Sequence, residues 1–226
     1  MNRKRRLANF LLALTLPLTV LTVQAGARGE VCAPFKDGKV ESSVLEAMLE
    51  AAEVGRLYRI DAASSKVGFC VNSQFKRVEG DFRDFQGGMT LSKEGAGKAQ
   101  TLVVIKVNSL DTDGALIENL IKSERFFDVE NYPEILFVST GFEWTGSSTA
   151  RLMGNLTLHG VTRPVTFDVT LTDIRNSTGG AGETILVKAT TKVSRAEFGM
   201  DTLSSLVDDN VQLCMSVEAR RLAGKG

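Results

Sequence analysis

One histidine, one tryptophan, three cysteines and four prolines are spread over 226 residues, and each scarcity closes off a class of function. The lone His159 has no second histidine with which to build a common zinc or proton-relay site. No C-x-x-C pair is present for disulfide exchange and no G-x-S-x-G elbow for acyl transfer. Asp111-Thr112-Asp113-Gly114 has the opening of a calcium loop but not its third acidic ligand or its terminal Glu, and helix capping accounts for it better. Lysine plus arginine (27) balance aspartate plus glutamate (27), so no basic surface for nucleic acid is expected. Nothing Pro-rich or of low complexity divides the chain after Tyr58, which points to one domain with an N-terminal extension.

The only long apolar run lies at the start. Arg3, Lys4, Arg5 and Arg6 precede Leu7 to Val23, and Val23-Gln24-Ala25 supplies a small-residue cleavage pattern, so residues 1–25 read as a secretory signal peptide. With Pro17 inside the run and no later hydrophobic segment, no stable membrane span is expected. Removing residues 1–25 takes away four basic groups, leaving 23 against 27 acidic ones, a net charge of about minus four. Asn155-Leu156-Thr157 and Asn176-Ser177-Thr178 match the glycosylation triplet, a weak signal.

Residues 26–56 form an extension in which Val44, Leu45, Met48, Leu49, Ala51, Ala52 and Val54 recur among glutamates at helical spacing, ending at Gly55. From Tyr58 the period changes to two. Strands are expected at Leu57 to Ile60 with Lys66 to Asn72, Val78 through Phe85 to Leu91, Leu102 to Val107, Ile135 to Thr140, Ala150 to Leu158, Arg163 to Asp173, Thr184 to Val193 and Asn210 to Ala219. A helical insert fits between Asp113 and Ser123, capped by Asp111 or Asp113, and an irregular piece runs from Ala196 to Val207. About eight antiparallel strands make a sandwich or a closed barrel. Inward-facing phenylalanines favour the barrel, whose interior holds side chains or one ligand.

Cys32, Cys70 and Cys214 remain after the leader and allow one bridge. Parity puts Cys70 and Cys214 on the face opposite the apolar set, so they pair if the first and last strands are neighbours; Cys32 with either is the alternative.

Ser109-Leu110-Asp111-Thr112, Arg125 through Phe137 (RFFDVENYPEILF), Gly154 through Val165 (GNLTLHGVTRPV) and Ser194 through Asp201 (SRAEFGMD) resemble, in order and spacing, the YceI-like family, with Tyr58-Arg59-Ile60-Asp61 similar to its domain start. The resemblance spans about residues 57 to 220; the extension and the cysteines lie outside its pattern. It implies an all-β fold with minor helices: an extended eight-stranded antiparallel lipocalin-like β-barrel over residues 57–226. It also implies a tunnel for a long-chain isoprenoid or similar lipid, no cofactor other than that lipid, and periplasmic location, while the single His and the lack of a paired-carboxylate motif favour binding over enzymatic activity. Oligomeric state stays open, a homodimer included.

By parity, the tunnel lining expected under that resemblance is Val67, Phe69, Val71, Val103, Ile105, Val107, Ile135, Phe137, Leu156, Leu158, Val165, Phe167, Val169, Val211 and Leu213, with Phe82, Phe85, Phe126, Phe127, Phe198 and Met200 at its ends. Ordinary core packing is the plain alternative for each. Arg195 with Glu197 and Asp201 could orient a head group at the tunnel mouth, but a surface charge cluster is the plainer reading. The competing functions are an enzyme acting on a lipid-like substrate with Glu134, Asp201 or Asp208 as acid or base, and an interaction module reading the helix at Ser42 to Val54 while the barrel is merely filled.

Overall fold

The structure is a computed structural model describing residues 42–90, 99–175 and 183–224. The expected leader and Cys32 lie outside the described residues.

Helix α1 (Ser42–Glu53) ends at Gly55, whose φ of +68° suits a residue without a Cβ. It rests on the outside of the sheet, where Met48 and Ala51 form a separate apolar cluster with Leu57 and Leu102. Ten strands follow: β1 (Leu57–Ser73), β2 (Arg77–Phe82), β3 (Phe85–Thr90), β4 (Thr101–Lys106), β5 (Leu110–Thr112), β6 (Glu134–Trp144), β7 (Thr149–Leu158), β8 (Val161–Arg175), β9 (Thr184–Ser194) and β10 (Val207–Arg221). Helix α2 (Ala115–Lys122) lies between β5 and β6.

Eight of these strands form a closed antiparallel ring, β1-β3-β4-β6-β7-β8-β9-β10, shut by β10 on β1 from Tyr58 opposite Arg221 to Ser73 opposite Val207. The other two come from breaks. Phe82 and Phe85 are both buried although their numbers differ in parity, and a pleated strand sends such residues to opposite faces. The chain therefore kinks at Arg83 and Asp84, giving β2 and β3 in place of the single expected strand. The next strand turns through a 3-10 stretch at Val107–Ser109, and its continuation β5 pairs with β2. β5 does not pair with β6; α2 and the segment after it connect the two along the chain.

The expected carboxylate cap on α2 is not formed. Gly114 occupies the N-cap with φ +116° and no side-chain hydrogen bond, while Asp111 is ion-paired to Arg83.

The two described cysteines face outward as parity required, but both are free thiols. The expected Cys70–Cys214 bridge is not formed: Cys70 stands opposite Gln212 and Cys214 opposite Gly68, which makes the two thiols diagonal neighbours, in contact but unbonded. Burial, with Cys70 beside it, pushes the Cys214 thiol up.

Candidate functional site

Alternation along the ring strands sends one apolar row per strand inward, and the space they leave is a chamber of about 400 Å³, within the range of small-molecule sites. Val67, Phe69 and Val71 reach it from β1, Val103 and Ile105 from β4, Ile135 and Phe137 from β6, Leu156 and Leu158 from β7, Phe167 from β8, and Val211 and Leu213 from β10. Phe82, Phe126, Phe127 and Met200 complete the part of the wall expected from the sequence. The rings of Phe69, Phe82 and Phe127 form a triangle with centroids 5.9 to 6.1 Å apart, a favourable tilted and edge-on arrangement.

Five expected positions are not on this wall. Phe85, Val107 and Phe198 are packed solid in the core. Val107 has left the pleat for the 3-10 stretch, and Phe198 lies in another at Ala196–Phe198. Val169 faces a second, smaller cavity of about 50 Å³. Val165 is only partly buried, lies opposite Gly154 and packs against the core without reaching the chamber wall.

Other wall residues escaped the sequence reading. Ile117, Leu120 and Ile121 of α2 face the chamber; their apolar spacing was visible, but nothing local says which space a helix covers. Met215 also lines it, and the parity of Val211 and Leu213, carried two residues further, would have found it. Phe75, in the turn between β1 and β2, lines the chamber while 82% exposed, so the chamber opens there. Ser73, Lys76 and Arg195 bring the polar groups to an otherwise hydrocarbon wall.

Arg195 is no surface charge. It is 4% exposed, with Nε donating to the Asp208 carbonyl at 3.0 Å, Nη2 to that of Val207 at 3.0 Å, and Nη1 to those of Thr202 at 2.8 Å and Met200. Its guanidinium carbon lies 5.9 Å from the centre of the Phe126 ring. One fork thus ties down the loop that places Met200, Leu203, Leu206 and Val207 on the wall. Asp209 fastens the same region by accepting from the Ala196 N–H at 2.9 Å. Hydrogen bonds from Ser194 and Ala196 hold its carboxyl below the usual range.

The candidate acids and bases lie elsewhere. Glu134 is ion-paired to Lys106, Asp201 and Asp208 are exposed, and none of the three lines the chamber. His159 (φ +50°) precedes Gly160 in the β7–β8 turn, packs edge-on against Tyr132 at 4.8 Å, and donates from Nδ1 to the Phe198 carbonyl at 3.0 Å. Among the described residues no cluster of three or more metal-ligating side chains occurs, and no helix is long and apolar enough to cross a membrane.

A family model described as a YceI-like domain matches residues 58–219. A UPF0312 protein of Pseudomonas putida strain W619 is 39% identical over 123 residues, 54% of this chain and 64% of that protein. One from Serratia proteamaculans strain 568 is 35% identical over 142 residues, 63% of this chain and 73% of that protein. The match thus spans just under two thirds of the length of the Pseudomonas relative.

Two solved structures share the fold. BcnA of Burkholderia cenocepacia superposes with a TM-score of 0.64 at 24% identity, over 70% of this chain and 98% of that one. A polyisoprenoid binding domain from Saccharophagus degradans gives 0.57 at 15% identity, over 73% and 98%.

Proposed function

The chain belongs to the YceI-like family, and from that membership and its apolar chamber we propose that it reversibly binds a long-chain amphiphilic lipid, of the polyisoprenoid or isoprenoid-quinone kind, for transport, storage or sequestration. The observation that carries the reading is the chamber itself, walled by hydrocarbon and aromatic side chains and open at Phe75. A polyisoprenoid-binding structural neighbour supports the choice of lipid class. Binding without catalysis is supported by the chamber lining, to which Glu134, Asp201 and Asp208 contribute no side chain. Periplasmic export is part of the same proposal and rests on the basic-then-apolar leader.

Volume sets the strength. At about 30 Å³ per water-sized group, the chamber takes roughly 13 chain carbons, near three isoprene units. Burying them gains on the order of 10 kcal/mol at about 0.8 kcal/mol per carbon. Association and tail ordering consume several kcal/mol of that gain, which puts the dissociation constant in the micromolar range. Affinity limited by chamber size, rather than saturated by a long tail, is the expectation.

Organic extraction of purified protein followed by mass spectrometry tests the reading. One prenyl-type lipid per chain is the expected result; an extract free of lipid, from protein that also fails to take up added prenols, would refute it. His159→Ala should retain the same lipid at the same stoichiometry, because the imidazole sits in a turn off the chamber wall. Loss of lipid from that variant, with its melting temperature unchanged, would move the site to the β7–β8 turn.

A further inference from the structure

The barrel interior is not one continuous hollow. Val103, Phe137 and Met215 belong to the walls of both cavities, the 400 Å³ chamber and the 50 Å³ pocket beyond it, and so stand between them. We propose that these three side chains form a partition that measures the ligand's tail, with Met215 as its movable member and the small pocket as a reserve subsite for longer tails. This rests on the lipid-binding reading above.

The two sides of the partition differ in kind. Val103 and Phe137 are directly opposed across β4 and β6. The Phe137 ring lies over Gly154 so closely that a Cβ there would come within 2.4 Å of its Cζ, and it packs edge-on against Phe167 at 5.3 Å. That ring has nowhere to go. Met215 comes from β10, where its neighbours in register are Val67 on β1 and the small Ala189 on β9. An unbranched thioether with three rotatable bonds adapts to what it touches, so Met215 is the side chain that can yield.

Beyond the partition the space is built for hydrocarbon: among its described wall residues, which include Phe142, Leu152, Val169 and Val187, only Thr101 carries a polar side chain. At its resting size the pocket holds one or two carbons. Cutting Met215 back to alanine removes three heavy atoms, about 90 Å³ at roughly 30 Å³ each. Together with the pocket this extends the chamber by four or five carbons, close to one isoprene unit.

The experiment loads purified protein with an equimolar mixture of geraniol, farnesol, geranylgeraniol and geranylfarnesol and reads the bound species by native mass spectrometry. Wild type should favour farnesol. Met215→Ala should shift the favoured prenol to geranylgeraniol, raising its ratio to farnesol by at least about tenfold, the part of the gain from four or five newly buried carbons that survives the ordering of the extra tail. Met215→Val, a milder truncation with a β-branched side chain suited to a strand, should shift the ratio in the same direction by a smaller step, and it serves if the alanine variant folds poorly. Met215→Phe should hold the preference at farnesol or shorter. Identical length profiles in wild type and the folded truncations would overturn the partition while leaving lipid binding intact. Wild type that binds none of the four prenols would overturn the lipid-binding reading, and the partition with it.

Discussion

Arg195→Met should destabilise the domain by about 3–5 kcal/mol and lower its lipid capacity, although no ligand need touch the arginine. The substitution preserves much of the side-chain bulk and removes every donor. The carbonyls of Met200, Thr202, Val207 and Asp208 lose their shared partner, and each buried carbonyl left unpaired costs about 1–3 kcal/mol. The sum stays nearer the lower bound because Asp208 is exposed and water can replace one bond. For a domain of this size the melting temperature should fall by about 10 °C or more. The freed loop carries Leu203 and Leu206 off the chamber wall, so limited proteolysis should cut at residues 201–206 in the variant before it cuts elsewhere. Arg195→Lys should fall between wild type and Arg195→Met, since an ammonium offers three donors on one nitrogen and cannot reproduce the fork. Equal urea midpoints for wild type and Arg195→Met would show that the loop is held by other contacts.

This loop marks where the sequence stopped being legible. The strands could be read because a two-residue period is local: Val67, Phe69 and Val71, or Ile135 and Phe137, declare their face within a few positions. The ring closes as that pattern implied, with Phe69 opposite Leu213. The kink at Arg83 was written in the parity of Phe82 and Phe85, and it was missed because a run of apolar residues looks continuous when phase is not followed. Burial of Arg195 had no local sign. Its partners are backbone carbonyls five to thirteen residues away, and carbonyls are present in every sequence, so a charged residue beside Glu197 looked like surface. Hollow and filled positions could not be separated either. Phe85 and Phe69 have the same residue type and both face inward, yet one is packed solid and the other borders the chamber, because the difference depends on what comes from across the barrel. Arrangement across the barrel also placed the cysteines, where parity identified the face and register made Cys70 and Cys214 diagonal rather than directly opposed neighbours.

Phe137→Asp should abolish lipid retention and leave the domain largely unfolded near neutral pH. Phe137 is 6% exposed, packed against Phe167 and seated over Gly154. Truncating a buried phenylalanine alone costs about 3–5 kcal/mol. An unpaired carboxylate in the same apolar space adds a desolvation penalty of several kcal/mol, and the total matches the entire stability of an ordinary domain, about 5–15 kcal/mol. Phe137→Leu, which remains apolar, should cost far less and keep lipid. The pH dependence separates a buried charge from simple loss of packing. A carboxyl forced into this environment has its folded-state pKa raised above the unfolded value of about 3.9. The folded state then binds more protons than the unfolded state, so the variant's stability relative to wild type should fall as pH rises from about 4 through the raised value. Phe137→Ala, which lacks the titrating group, should show no such slope. Thermal melts of the three variants between about pH 4 and pH 8 provide the measurement. A Phe137→Asp protein that melts like Phe137→Ala at every pH would mean that water already reaches the centre of the barrel, and the chamber would then be no place for a hydrocarbon tail.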